Sequence, residues 1–309
     1  MVRCQSAMMI KRILPCLMTW LIALSARAEE VALRPGVLPT AWQSPHVRCP
    51  SDPEFFVHWY NPDFAILRQS ACVNFEKPFL YLIFGQEKAI LFDTGASSEA
   101  KVAQEVQKAI DLWLTKKHKK TLTLIVSHLH SHTDHIAGDP QFKGRPNTVL
   151  VEPDLNAVKK FFRLHQWPTK VGSYDLGGRI LDILPIPGHD ESSIAVYDRE
   201  TGVFLTGDSL YPGRLYVNTS VAEYLASAQR MVEFTKTRRV THVLGTHIEN
   251  TKTPFVDYPI HTKVQPDEHV LELGRAHILE LESTLESIKG PYTRVSVRDF
   301  SICGKYPAC

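Results

Sequence analysis

A chain of 309 residues, 44% of them hydrophobic, can bury one large core, and its length admits one domain or two. With 35 basic against 33 acidic residues, the formal charge of +2 leaves no basic stripe on which a nucleic-acid partner can be argued.

The first segment stands outside that core. Arg3, Lys11 and Arg12 precede an apolar run from Ile13 to Leu24, and Ala26, Arg27 and Ala28 follow it before Glu29. A basic start, a short apolar stretch and an AxA site form the pattern of a secretory signal peptide, cut after Ala28. An apolar run of about twelve residues falls short of the roughly twenty that a membrane span needs. The expectation is a signal peptide over residues 1–28, no stable membrane anchor, and a periplasmic or secreted mature protein. Cleavage removes Arg3, Lys11, Arg12 and Arg27 and no acid, turning the formal +2 into −2. Cys4 and Cys16 leave with the signal, and Cys49, Cys72, Cys303 and Cys309 remain. An even number in an oxidising compartment suggests two disulfides; of the possible pairings the expected one is sequence-local, Cys49 with Cys72 and Cys303 with Cys309. None of the four has the spacing of a zinc finger.

Residues 29–54 carry Pro35, Pro39, Pro45, Pro50 and Pro53 without a period and read as an extended arm. Residues 55–309 then read as a single domain. Phe79–Phe84 and Ala89–Phe92 are apolar runs separated by four polar or glycine residues, a hairpin signal, and the second ends in Asp93, Thr94 and Gly95. From about Ser98, Val102, Val106, Ile110 and Trp113 recur at helical spacing. Thr121–Val126 is a β-branched run expected to be a buried strand. Further on, Thr148–Val151 reads as a strand and Pro153–Phe162 as a helix with proline in its first turn. Ile180–Ile186, Ser193–Tyr197 and Val203–Thr206 are short strands. Ser220 and Glu223 form a capping-box signal for a helix whose buried stripe is Val221, Tyr224, Leu225, Ala228 and Val232. Val240–Leu244 is the next strand, and Asp267 is expected to cap a last helix with Val270, Ile278, Leu281, Leu285 and Ile288 on its inner face. Strands alternate with helices and hairpins, so a sandwich of two mixed sheets flanked by helices fits best.

The chemistry is concentrated in Ser127 to Gly138, SHLHSHTDHIAG, which places four histidines and an aspartate in eight consecutive positions. His130, His132, Asp134 and His135 form an HxHxDH pattern directly after a strand. In extended chain alternate residues point the same way, so His130 and His132 can hold one ion. Asp134 and His135, on chain turning into a helix at Ile136–Gly138, point elsewhere and can serve a second. A pattern begun at His128 does not close, because it needs an aspartate where His132 stands; His128 is expected to support the loop. Three later strands each end in a metal-capable side chain preceded by glycine: His189 after Pro187 and Gly188, Asp208 after Gly207, and His247 after Gly245 and Thr246. Glycine lets the backbone turn closely around a site.

The order DTG (Asp93, Thr94, Gly95), HxHxDH, PGH (His189), TGD (Asp208) and GTH (His247) resembles the metallo-β-lactamase superfamily over about residues 75 to 250. The resemblance implies an α/β fold, a four-layer αββα sandwich, with a metal centre at one edge between the sheets. It implies His130, His132 and His189 on a first zinc, Asp134, His135 and His247 on a second, Asp208 bridging them, and Asp93 as a buried carboxylate steadying the histidine loop. Imidazole and carboxylate are usual zinc donors. The expected protein is an exported dinuclear zinc hydrolase attacking a carbonyl ester, thioester, lactone or amide of a small-molecule substrate through a metal-bound hydroxide. Asp134 would orient the nucleophile and shuttle its proton, and Tyr211, in GDSLY, would offer its hydroxyl to the oxyanion. Alternatives are a β-lactamase of the all-histidine subclass, and an oxidoreductase resembling mononuclear iron persulfide dioxygenases. Fe2+ or Mn2+ then replaces Zn2+, with His130, His189 and Asp208 as iron ligands.

Overall fold

Apolar runs with no polar alternation belong to strands covered on both faces, and that is how the central strands here are used. The computed structural model describes residue 1, residues 32–42, residue 49, residues 51–306 and residue 309. The signal-peptide reading and part of the proline-rich arm therefore lie outside the described residues. The first sheet is built from β1 (Phe55–Asn61), β2 (Phe64–Gln69), β3 (Phe79–Phe84), β4 (Lys88–Phe92), β5 (Thr123–Ser127) and β6 (Thr148–Leu150), paired in that order. The pairs are antiparallel up to β4 and parallel from β4 through β6. Helix α1 (Val102–Lys116) connects β4 to β5, the single turn α2 (Thr133–Ile136) follows β5, and α3 (Leu155–Phe161) follows β6.

The second sheet contains β7 (Gly172–Asp175), β8 (Ile180–Pro185), β9 (Ile194–Asp198) and β10 (Val203–Gly207), succeeded in the chain by β11 (Arg214–Tyr216), α4 (Val221–Thr235), β12 (His242–Gly245), β13 (Glu272–Leu273) and α5 (Arg275–Ser287). Its strand order is β13-β12-β10-β9-β8-β7, with β10 and β12 parallel and the other pairs antiparallel. A third small sheet joins β11 to β15 (Ser301–Cys303), and β15 to β14 (Arg294–Ser296).

Residue parity assigns the faces. Along β3, Tyr81 and Ile83 join Phe64, Ile66, Ile90 and Ile125 against Ile183, Val196, Leu205 and Leu244 of the second sheet, forming the core between the sheets. Leu80 and Leu82 point the other way, onto Val102, Val106, Ile110 and Trp113 of α1. On the outer face of the second sheet, Phe204 and Val243 pack against Tyr224, Ala228 and Met231 of α4 and Ile278 and Leu281 of α5. Helix, sheet, sheet and helix thus make four layers, and each fully buried aliphatic or aromatic side chain contributes about 1.5–3 kcal/mol. No helix among the described residues is long and apolar enough to cross a membrane. Both disulfides join sequence-local partners, Cys49 to Cys72 and Cys303 to Cys309.

Some boundaries differ from the sequence reading for local reasons. The third helix starts after Asp154, whose carboxylate accepts from the Asn156 and Ala157 amides, so Pro153 precedes the cap instead of opening the first turn. The last helix begins at Arg275, capped by Gly274, whose amide donates to the side chain of His277; Asp267 lies in the preceding loop and Val270 is exposed. The helical turn expected at Ile136–Gly138 begins earlier, at Thr133 inside the histidine motif, and ends at Ile136.

Candidate metal centre

Each candidate ligand follows the carboxyl end of a strand. His130, His132, Asp134 and His135 come after β5, His189 after β8, Asp208 after β10 and His247 after β12. Because β10 and β12 are parallel neighbours, Asp208 and His247 emerge side by side. The two sheets bring all seven residues together as two groups, His130 with His132 and His189, and Asp134 with His135, Asp208 and His247, with donor atoms in each group within 4.8 Å of one another. Asp208 stands between the groups: its oxygens lie 3.5 Å from Nε2 of both His135 and His247 and 3.7 Å from Nε2 of His189.

The outward ring nitrogens decide what the inward ones can do. Nδ1 of His135 is 2.9 Å from Asp93 Oδ2, Nδ1 of His189 is 3.0 Å from the Tyr216 carbonyl oxygen, and Nδ1 of His247 is 3.0 Å from the Glu76 carbonyl oxygen. Each acceptor takes a hydrogen bond from Nδ1 and turns Nε2 towards the cluster, the nitrogen whose lone pair a cation would use in place of a proton. For His132 the order is reversed. Its Nε2 is 3.7 Å from Asp190 Oδ2, and its Nδ1 is 3.0 Å from His189 Nε2. Both ring nitrogens of His130, Nε2 of His135 and Oδ1 of Asp208 are buried without a hydrogen-bond partner. Buried ring nitrogens and a carboxylate oxygen left without partners are an arrangement that cations satisfy, so the donor set fits divalent metal ions.

The sequence matches the family model described as the metallo-beta-lactamase superfamily over residues 74–242, more than half of the chain. The chain belongs to the metallo-β-lactamase superfamily. It is 24% identical over 202 residues to the hydroxyacylglutathione hydrolase of Aeromonas hydrophila subsp. hydrophila, covering 64% of this chain and 70% of that protein. With the acyl-coenzyme A thioesterase MBLAC2 of Gallus gallus it shares 35% identity over 75 residues, 23% of this chain and 27% of the relative's length. A solved metallo-beta-lactamase from Pontibacter korlensis aligns with 76% of this chain and 100% of its own at 15% identity and a TM-score of 0.49.

In this superfamily member the candidate ligands border a cleft of about 1170 Å3. His132, Asp134, His189, Asp208 and His247 line it, while His130 and His135, at 1% and 0% exposure, sit beneath. Burial lowers the pKa of His130 and brings His189 down to about 4, so both are neutral imidazoles, the form that coordinates. His135 and His247 differ. Burial disfavours their charge too, but the carboxylates of Asp134 and Asp208 outweigh it, helped at His135 by Asp93, and His247 is raised to about 10. Conversely, burial acts to raise Asp208 and Asp134, and the neighbouring imidazoles overcome it, holding both carboxyls well below the usual range.

Asp93, fully buried, braces the loop twice: Oδ1 accepts from the Leu129 amide at 2.8 Å while Oδ2 receives His135. His128 is buried with its Nε2 on Asp139 Oδ1 at 2.8 Å, away from both groups. Asp139 Oδ1 also accepts from the Thr94 hydroxyl at 2.8 Å, joining DTG to the histidine segment. The hydroxyl of Tyr211, expected at an oxyanion, instead donates to the Arg214 carbonyl oxygen at 2.5 Å and lies 3.2 Å from Glu249 Oε2. Its one proton is committed to the cleft wall. Sequence reasoning missed three residues here. Asp190 faces His132, and its only signal was adjacency to His189. Glu76 lines the cleft with its carboxyl raised to about 7 by burial, and Arg214 is held by Glu249 and Asp257; neither carried a motif.

Proposed function

We propose that this protein is an exported dinuclear zinc hydrolase that cleaves a small-molecule thioester or related carbonyl ester. The observation that carries the reading is Asp208, within 3.5 to 3.7 Å of imidazoles of both groups, with its Oδ1, Nε2 of His135 and both ring nitrogens of His130 buried without hydrogen-bond partners. The donors are imidazole and carboxylate only, which favours zinc. Zinc ions held by these residues would supply Lewis acidity and lower the pKa of water. The relatives whose names are hydroxyacylglutathione hydrolase and acyl-coenzyme A thioesterase favour a thioester among the carbonyl substrates.

The chain's own residues do the rest. Asp134, the most exposed carboxylate of the second group at 23%, faces the cleft with Oδ2 3.2 Å from His247 Nε2 and 3.3 Å from His135 Nε2. From there it orients the attacking water and carries its proton towards the leaving group. Asp93 and the carbonyls of Tyr216 and Glu76 hold His135, His189 and His247 in the coordinating tautomer. The large cleft receives the remainder of the substrate along walls from the segments 74–77, 259–265 and 305–306. Two disulfides favour an oxidising compartment.

The test is a hydrolysis screen with thioester, lactone, phosphodiester and β-lactam substrates at micromolar zinc, on wild type and His132→Ala. Thioester turnover that disappears in His132→Ala supports the reading; equal inertness of both proteins on every class overturns it. Elemental analysis giving one iron per chain moves the assignment to the oxidoreductase alternative.

A further inference from the structure

We infer that Glu249 is a positioning residue for the second metal position, clamping the loop that carries Asp208 to the loop that carries His247. The inference rests on the dinuclear reading above. Asp208 lies three residues before Tyr211, and His247 two residues before Glu249. Between these segments Glu249 makes a dense set of bonds. Its Oε2 accepts from the Arg214 amide at 2.7 Å and lies 3.2 Å from the Tyr211 hydroxyl, and its Oε1 accepts from an Arg214 guanidinium nitrogen at 2.7 Å. Its own amide and that of Asn250 donate to the Pro212 carbonyl oxygen at 2.8 and 3.1 Å.

The chain around the carboxylate is shaped for it. A Cβ at Gly213 would lie 2.6 Å from Glu249 Oε2 and 2.3 Å from Tyr211 Cε2, so a residue without a side chain is what admits the close approach. Arg214 is only 4% exposed, and its charge is matched by Glu249 and, at 2.5 Å, by Asp257, which Arg294 meets from the other side at 3.0 Å. The small third sheet, through Arg214 on β11 and Arg294 on β14, thereby anchors the two ligand-bearing loops. Asp134 and His135 are braced separately, by α2 and Asp93. Of the first group only His189 meets β11, through the Tyr216 carbonyl oxygen, and that end of the strand is held by its ladder with β15. Loosening Glu249 therefore shifts Asp208 and His247 against Asp134 and His135 while leaving His130, His132 and His189 in place.

The experiment is a zinc titration of the full chain against a chromophoric chelator, with wild type, Glu249→Gln and Arg214→Lys. Glutamine keeps the size but turns an amide donor towards the guanidinium; lysine keeps the charge but loses the two-pronged geometry. The expected result is two ions in wild type and unequal weakening in each variant, about 10-fold or more at the position that depends on both Asp208 and His247 and less at the one that shares only Asp208. Thermal unfolding of the metal-free proteins checks that the variants are folded, and Arg214→Lys decides if Glu249→Gln is not. Unchanged affinities at both positions, or equal weakening of both, overturn the clamp. Two ions in wild type with no change in the variants removes this inference alone; fewer than two in wild type removes the dinuclear reading and the inference with it.

Discussion

Asp93 and His135 share a hydrogen bond of 2.9 Å, and neither residue is exposed to solvent. The pair links the end of β4 to the histidine loop after β5 and turns Nε2 of His135 towards Asp134 and Asp208. Asp93 has a φ of +69°, a left-handed conformation that asparagine tolerates. Asp93→Asn therefore keeps the backbone and removes the charge that makes His135 a strong donor. Zinc affinity at one position is expected to fall about 10- to 100-fold, read by competition with a chelator; an unchanged affinity would show that the carboxylate does not support the ligand.

Gly245 ends β12 where three pieces of chain meet. A Cβ there would stand 2.3 Å from Tyr211 Cβ, 2.6 Å from the Leu210 carbonyl oxygen and 2.9 Å from the Gly207 carbonyl oxygen. Two of these contacts are backbone and cannot swing aside. Gly245→Ala is expected to cost about 1–3 kcal/mol in urea unfolding, and a variant as stable as wild type would contradict the tight packing between β10 and β12.

A pH dependence follows from Asp257. Burial acts to raise its carboxyl, and the hydrogen bonds and charges of Arg294 and Arg214 overcome this, holding it below its ordinary value of 3.8. A carboxyl depressed in the folded state adds stability that is fully present above the unfolded value and is lost as pH falls through the folded one. Wild type is thus expected to exceed Asp257→Asn in stability at neutral pH, with the gap closing in the acid range below 3.8. Urea unfolding at several pH values reads this; a gap that stays constant would show that the carboxylate charge contributes nothing.

The parts of this molecule readable from its sequence are those written locally. The strands between the layers announce themselves because both faces are covered, so Phe79–Phe84 is apolar at every position. The four candidate ligands between His130 and His135 lie within six residues, and His189, Asp208 and His247 each follow a strand by one to four residues. What stayed hidden depends on distant partners. The bonds of Glu249 to Arg214 join residues 35 apart, and those of Arg214 to Asp257 join residues 43 apart. Strands β11, β14 and β15 are three residues each, too short for any period to show. Asp267 is chemically suited to cap a helix, yet its segment pairs with another loop, the Lys252 amide donating to its carbonyl oxygen. At Tyr211, a place next to the candidate ligands in sequence says nothing of the Arg214 carbonyl that takes up its hydroxyl.

The bridge between Cys49 and Cys72, 23 residues apart, closes a loop containing β1 and β2 and ends just before the cleft-lining residues Asn74 to Lys77. By loop-closure entropy its removal in a Cys49→Ser, Cys72→Ser double variant is expected to cost about 3 kcal/mol. Thermal unfolding of the two proteins without reductant measures it, and equal melting temperatures would exclude a stabilising role.

The seating of every candidate ligand at the carboxyl end of an interior strand divides labour between root and rim. The strands answer to the two layers of apolar packing that enclose them, whereas the far reaches of the 259–265 and 305–306 segments answer to solvent and to whatever molecule enters. Substitutions accumulating on that rim can change what the cleft admits while the residues at its root keep their places, which makes this scaffold well suited to diversification.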